Sequence, residues 1–493
     1  MKCPSKICML LAVVLGLTAA LSGCGNKEIN NEEPYNIVWY SSGVSSAEDE
    51  AVYAEVNKYT QEKIGATVQC TPIRSSEFND KMRLLFSSNS QFDTCFTSSS
   101  RDFVDNVKNG VFLKLDDLLQ KQGKDIWEMT PDYFFECSTV GDGIYAIPVL
   151  KDVASEWVIA CKSYLVEKYQ IDLSTVQKLE DFTPIFETIK KNEAGIYPIV
   201  TRGNNSLFRF LPFEAISGSP VGAFRIGSYD TIVNQYDTDE ARNFYRLVRE
   251  WYLKGYIRKD AATVTNDEDI YKADSFFAEY QGYLPYAEEN YKSPDMPDHK
   301  RMSFVRNLFS PYVTTDGVMG AALAVSANSQ NPEKTMEFIN LINTDKYLRN
   351  LMAYGIRDKH YVLDEQNRAK APEGFKTLAD AGYYHASNPY TQGNRFLLYP
   401  LATQPTDVWD KYKEFNETAT KSGVLGFVFD WSNVSSEIAA LQNVYQEFMP
   451  SLLVGAVDPD EYLPKAMEKF RSAGLDKVLK EIQRQLDEWK RNH

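Results

Sequence analysis

Beyond its amino terminus the sequence has no run of about 18 apolar residues, so no internal segment reads as a membrane-spanning helix. It has no internal repeat, which excludes a solenoid. It has no cationic excess either: 53 Lys and Arg stand against 68 Asp and Glu, a net charge of −15. Nucleic-acid binding needs a dense positive face to displace counterions, so this balance argues against it. Histidine is scarce, with 4 in the chain. No HExxH, GxSxG, EF-hand loop or P-loop occurs, which leaves metallopeptidase, α/β-hydrolase and ATPase readings without support. No cofactor or metal is therefore expected.

Cysteine is also sparse, at 7 residues. Cys3, Cys8 and Cys24 belong to the amino-terminal leader, which leaves Cys70, Cys95, Cys137 and Cys161. Four in so long a chain do not make a disulfide scaffold, and none shows metal-ligand spacing. They read as small hydrophobes in strands. What is present is the balance of a folded protein, 43% apolar and 25% charged. The 493 residues suggest about three domains or two large ones.

The leader has its own logic. Lys2 and Lys6 give a positive start and Met9–Leu21 is apolar, too short to span a membrane but suited to export. It ends in Leu21-Ser22-Gly23-Cys24, which resembles the lipobox of a bacterial lipoprotein. That resemblance implies a diacylglycerol thioether on Cys24, cleavage before it, and palmitate-type chains holding the protein to the outer face of the cell membrane. One acyl chain anchors only marginally, whereas two or three hold stably. Without residues 1–23 the chain has two lysines fewer and a charge of −17. Residues 24–34 are polar and breaker-rich, and read as a tether.

The mature chain opens with a legible alternation. Asn36–Tyr40, Thr67–Cys70 and Phe92–Phe96 read as strands, and Ala47–Lys63 and Glu77–Ser88 as helices. Such an order implies parallel pairing with right-handed crossovers in an open α/β lobe. With strand order 2-1-3 the second and third strands lie about 9–10 Å apart, so Cys70 and Cys95 are predicted not to be bonded to each other. Ligands in such sheets sit beyond the strands' carboxyl ends, here Tyr40–Gly43, Thr71–Arg74 and Thr97–Ser100. Gly141-Asp142-Gly143-Ile144-Tyr145-Ala146 matches GxGxxA formally, but Pro148 follows where a helix would have to open, so it reads as a hairpin turn.

Farther on, Glu156–Cys161 reads as extended, Thr183–Lys191 and Asp239–Leu253 as helices, and 311–325 as an apolar extended run. Asn331-Pro332-Glu333 caps a helix expected to reach Ala353. Two helices close the chain, marked by Ile438, Leu441, Tyr445 and Phe448, and by Leu475, Val478, Leu479, Ile482 and Leu486.

Several stretches resemble family 1 extracellular solute-binding proteins, the carbohydrate receptors of ABC importers. They are Gly143–Pro148, Ala324–Ile342 and Tyr354–Tyr361; Gly393-Asn394-Arg395-Phe396 and Val434–Pro450 resemble a Gram-positive lipoprotein branch with its own carboxyl-terminal domain. The family more often carries glutamine where Arg395 stands. The resemblance implies a periplasmic-binding-protein-like type II fold of class α/β: two doubly wound lobes with a hinge, a ligand cleft and a helical carboxyl-terminal part. Lobe 1 would comprise 35–147 and 311–360, lobe 2 would comprise 148–310, and 361–493 would pack on both. It also implies a monomer that delivers carbohydrate, taken to be an oligosaccharide, to a permease pair driven by an ATPase. This chain, lacking a P-loop, does not supply that energy itself.

Sugar recognition needs flat aromatic faces and planar polar groups. Aromatic candidates at loops or strand ends are Tyr40, Tyr145, Trp157, Tyr286 and Trp431, and polar candidates are Ser42, Glu77, Ser99, Glu288 and Asn394. Glu288 follows Leu284-Pro285-Tyr286-Ala287, which reads as extended and would put it on one face with Tyr286. Two alternatives stand beside the receptor reading. One is a receptor for a peptide or other non-sugar ligand. The other is a secreted glycosidase drawing its two carboxylates from Asp102/Asp105, Asp116/Asp117 or Glu288/Glu289.

Overall fold

Alternating strands and helices begin at Tyr35, and the sheet they build sets the position of everything later in the chain. A computed structural model describes residues 33–204, 206–291, 296–386 and 389–492. The leader and Cys24 lie outside the described residues. β1 (Tyr35–Ser42), α1 (Asp49–Ile64), β2 (Ala66–Ile73), α2 (Ser75–Ser87) and β3 (Thr94–Thr97) follow the expected order. β1 lies between β2 and β3 and runs parallel to both. Cys70 sits opposite Trp39 and Cys95 opposite Tyr40, so a whole strand separates the two thiols. Cys70, Cys95, Cys137 and Cys161 are all free.

Two short strands complete this sheet. Ala322–Val325 runs antiparallel to β3, and Ile147–Pro148 runs antiparallel to Ala322–Val325. The chain thus leaves the sheet after Pro148 and re-enters it near Ala322. Ile37 and Trp39 are fully buried on one face of β1, sharing a core with Val52 and Val56 of α1 and with Phe338. Each such side chain contributes on the order of 1.5–3 kcal/mol on leaving water.

The second sheet is mixed. Its order is Met302–Val305, Trp157–Lys162, Phe276–Gly282, Tyr197–Val200, with only the last pair parallel. The helix Asp239–Leu253 has the bounds that its pattern predicts and buries Phe244, Leu247, Val248 and Trp251. Its Thr238 cap accepts a hydrogen bond from Ala241 N. The Gly141 turn is a hairpin: Thr139–Val140 pairs with Gly143–Ile144, and Gly141 takes φ +64°, which glycine adopts without strain.

Three expectations are corrected. The run 311–325 is not extended throughout, because a one-turn helix, Thr315–Met319, interrupts it with Thr314 as its cap. The helix expected to reach Ala353 is two helices, Pro332–Thr344 and Lys346–Tyr354. Asp345 breaks it by leaving helical angles so that its carboxylate accepts from Leu348 N at 2.7 Å. Three helices close the chain rather than two: Ser435–Leu453, Pro459–Ser472 and Leu475–Asn492. The extra one starts at Asp458-Pro459, a cap followed by proline at the first helical position. These helices join the second lobe's core, where Tyr236 stacks on Phe470 with centroids 6.3 Å apart.

Candidate functional site

Three chain crossings lie side by side between the two sheets. Ala154–Ser155 pairs antiparallel with Tyr312–Val313, which pairs in parallel with Thr420–Lys421. The carboxyl-terminal part holds the first crossing from behind. Asn416 Oδ1 accepts from Val153 N (2.9 Å) and Ala154 N (3.1 Å), and its Nδ2 donates to Lys151 O (2.8 Å). Arg395 forms an ion pair with Asp152, and its backbone N–H donates to Leu150 O at 2.9 Å. Lys151 is buried beside this pair and donates to Gly317 O, and burial pulls its amine down to about 8.

Above the crossings lies a cavity of about 480 Å³. The first lobe lines it with Ser99, Phe103 and the helix face carrying Thr315, Asp316 and Met319. The second lobe adds Trp157, Phe208, Arg209, Glu214 and Ser217. The carboxyl-terminal part adds Phe427, Trp431 and Tyr445. Trp431 lies so close to Gly218 that a Cβ there would stand 2.1 Å from its ring, and Gly218 has φ +76°. Only glycine satisfies both demands. The Arg209 guanidinium sits 4.0 Å from the Trp157 ring centroid, covering one face of it.

Two carboxylates shape the electrostatics. Glu214, from the strand Phe213–Ala215, accepts from Tyr312 (2.9 Å) and Ser422 (2.7 Å), and the Tyr312 hydroxyl also pairs with that of Tyr229. Burial pushes Glu214 up to about 7, against the opposing pull of those two hydroxyls. Asp316 lines the same cavity as Ser99 and Ser217, and desolvation at that wall raises its carboxyl as well. Among the described residues neither carboxylate has an ion-pair partner, and no three His, Cys, Asp or Glu cluster to hold a metal.

The sequence-predicted residues fall in several places. Ser99, Trp157 and Trp431 meet at the large cavity. Ser42 lines a second, more polar cavity of about 350 Å³, with Ser98, Ser100, Arg101 and Lys151. Tyr40 packs edge-on against Phe92 with centroids 6.1 Å apart, and Tyr145 joins the same core. Glu77 is exposed on α2, paired with Lys81 at 2.6 Å. Asn394 is buried; it donates to Asn343 O and accepts from Phe396 N.

Tyr286 accepts from Gln404 at 3.1 Å. The segment after it is helical, Ala287–Tyr291, so Glu288 does not share an extended face with Tyr286 and instead faces Arg306 at 3.8 Å. Sequence reasoning missed Glu214, Asp316 and Arg209. A signal for the first two exists: each is a lone acid in a short apolar stretch, Phe213-Glu214-Ala215 and 311–325.

Comparison with known proteins decides the family. Residues 43–348 match the bacterial extracellular solute-binding protein family. The chain belongs to that family. This solute-binding protein also matches a domain of unknown function over residues 423–491. It is 29% identical to a carbohydrate ABC transporter substrate-binding protein of Streptococcus pneumoniae serotype 4, over 100% of both chains. Its fold is similar to the N-glycan transport solute-binding protein NgtS of Streptococcus pneumoniae, at TM-score 0.80 and 28% identity over 93% of this chain and 99% of that one. Against NgtS in complex with Man5GlcNAc the TM-score is 0.68, at 28% identity and coverage of 93% and 99%. Against the alginate-binding protein AlgQ2 it is 0.64, at 14% identity over 92% and 98%, a likeness of fold. No helix among the described residues is long and apolar enough to cross a membrane.

Proposed function

We infer that this solute-binding protein binds an oligosaccharide in the 480 Å³ cavity and passes it unchanged to the permease pair of an ABC importer. One observation carries the reading: lobe 1, lobe 2 and the carboxyl-terminal part each contribute to a single cavity that holds two indoles, two carboxylates and several hydroxyls. Indole faces suit the C–H faces of pyranose rings, and carboxylates accept from adjacent hydroxyls. The relationship to a carbohydrate ABC transporter substrate-binding protein and to NgtS supports the same ligand class. Because ligand touches both lobes, its differential affinity favours the closed arrangement about the three crossings.

A thermal-shift screen of mono- and oligosaccharides tests the reading. Saturating ligand at a hundred times its dissociation constant adds ~2.7 kcal/mol of stability. Shifts with peptides and none with any sugar would overturn it. New reducing ends appearing in the same incubations would argue for a glycosidase. Anchoring through Cys24 is a separate part of the proposal, supported by the lipobox resemblance. Cys24→Ala is expected to release the protein into the medium and abolish labelling with radioactive palmitate.

A further inference from the structure

The short helix Phe103–Lys108 of the first lobe has one end in the large cavity and the other at a seam. Phe103 and Val104 are buried and line the cavity. One turn on, along the same face as Val104, Lys108 forms an ion pair with Asp430. Asp430 directly precedes Trp431, and the last helix, Leu475–Asn492, holds it from the far side. Its backbone N–H donates to Gln485 Oε1 at 2.9 Å, and its carbonyl accepts from Gln485 Nε2 at 2.8 Å. That helix is fixed to the second lobe: Gln483 accepts from Ile232 N at 2.8 Å, and Val478, Ile482 and Leu486 share the second lobe's core. The Lys108–Asp430 pair therefore joins the two lobes beside a cavity indole.

The chain leading to Asp430 is threaded between the same two bodies. Val424, Phe427 and Phe429 pack into the second lobe's core, whereas Leu425 and Val428 pack on the first lobe's. Gly426 N donates to Thr315 Oγ1 of the first lobe at 2.9 Å, and Trp431 lies against Gly218 of the second. We propose that Lys108 is a positioning residue for ligand binding: through Asp430 it fixes Trp431 at the cavity wall and holds the lobes at the spacing that forms the cavity. Its effect on affinity rests on the oligosaccharide reading above; the coupling between the lobes does not. Lys108 is exposed and outside the cavity lining, so its influence runs through its partner. Against burial, which raises it, hydrogen bonds from Lys108 and Ser432 hold the Asp430 carboxyl below its ordinary value. Asp105, on the same helix as Lys108, has its carboxyl raised by burial and then by the charge of Asp430. Without the lysine, these two carboxylates would repel each other across the seam.

Lys108→Met and Asp430→Asn, singly and together, test this; asparagine keeps the oxygen that accepts from Ser432 N. In hydrogen–deuterium exchange of the ligand-free protein at neutral pH, peptides covering 424–432 should exchange about threefold faster or more in either single variant. The double variant should exchange no faster than the singles, because the pair acts as a unit. Raising salt from about 0.05 M to about 0.5 M should speed exchange there in the unsubstituted chain but not in Lys108→Met. Titration calorimetry with a neutral oligosaccharide of mannose and N-acetylglucosamine should show about threefold weaker binding in each variant, again without additivity. Because that probe carries no charge, any loss must come through the protein. Unchanged exchange at 424–432 in both single variants, or additive effects in the double, overturns the proposal and leaves the oligosaccharide reading intact. Unchanged affinity alongside faster exchange overturns the role of Lys108 in binding. If no saccharide binds the unsubstituted chain, the oligosaccharide reading falls, and the exchange result, which needs no ligand, still decides the coupling.

Discussion

Tyr312 donates its hydroxyl to the Glu214 carboxylate across 2.9 Å, tying a crossing strand to the cavity wall. Because Glu214 is mostly buried and has no cationic partner among the described residues, its affinity for a proton is higher folded than unfolded. The sign follows from that difference. Folding takes up a proton between the ordinary carboxylate value of about 4.3 and the folded value of about 7. The contribution to stability is therefore complete below about pH 4 and is lost as pH rises through about 7. Its ceiling is about 4 kcal/mol, since each tenfold gain in proton affinity is worth about 1.4 kcal/mol. Asp316 titrates in the same direction. Thermal melts should show the unsubstituted chain losing stability from pH 5 to pH 8, and Glu214→Gln losing less. Equal slopes in the two proteins would remove Glu214 from this role.

The Asn416 side chain makes three hydrogen bonds to the first crossing, all from one amide. Replacing it with alanine strands Val153 N and the Lys151 carbonyl away from water. Each stranded group costs about 1–3 kcal/mol. Asn416→Ala should lower stability by about 2–4 kcal/mol in urea titration. A change under about 0.5 kcal/mol would mean that the crossing is held by other contacts.

Ligand affinity should separate the cavity aromatics from the surface candidates. Trp157→Ala and Trp431→Ala each remove a flat face from the cavity and should weaken sugar binding about tenfold or more. Glu77→Gln breaks only an exposed pair with Lys81 and should leave both affinity and stability unchanged. Loss of binding in Glu77→Gln with none in Trp157→Ala would move the site to the first lobe's outer face.

Closure should be visible in solution. This chain matches NgtS at TM-score 0.80 and the NgtS complex with Man5GlcNAc at 0.68, at 28% sequence identity in both cases. Small-angle scattering of this protein should show a smaller radius of gyration with saturating oligosaccharide than without. An unchanged radius alongside measurable binding would argue for a cleft that does not move.

Local chemistry was readable wherever neighbours in sequence are neighbours in space. The opening β1-α1-β2-α2-β3 alternation, the helix Asp239–Leu253 and the Gly141 hairpin follow from periodicity, capping and a left-handed glycine, all within a few residues. The break at Asp345 and the helix at Pro459 are local too, since their caps stand in the sequence. The family resemblance worked in the same way, through short contiguous stretches.

The site was different. Ser99, Trp157 and Trp431 could be nominated by residue type, yet nothing in their spacing distinguished them from Tyr40, Tyr145 or Asn394, which pack into the interior. Glu214 and Asp316 lie about a hundred residues apart and meet one cavity because three crossings bring both lobes and the carboxyl-terminal part together. Sequence alone determined which elements form, since helix and strand propensities act over a few residues. Tertiary structure alone decided which side chains line the cavity and which carboxylates meet there without a cation, because that depends on contacts between segments that the order of residues does not place side by side.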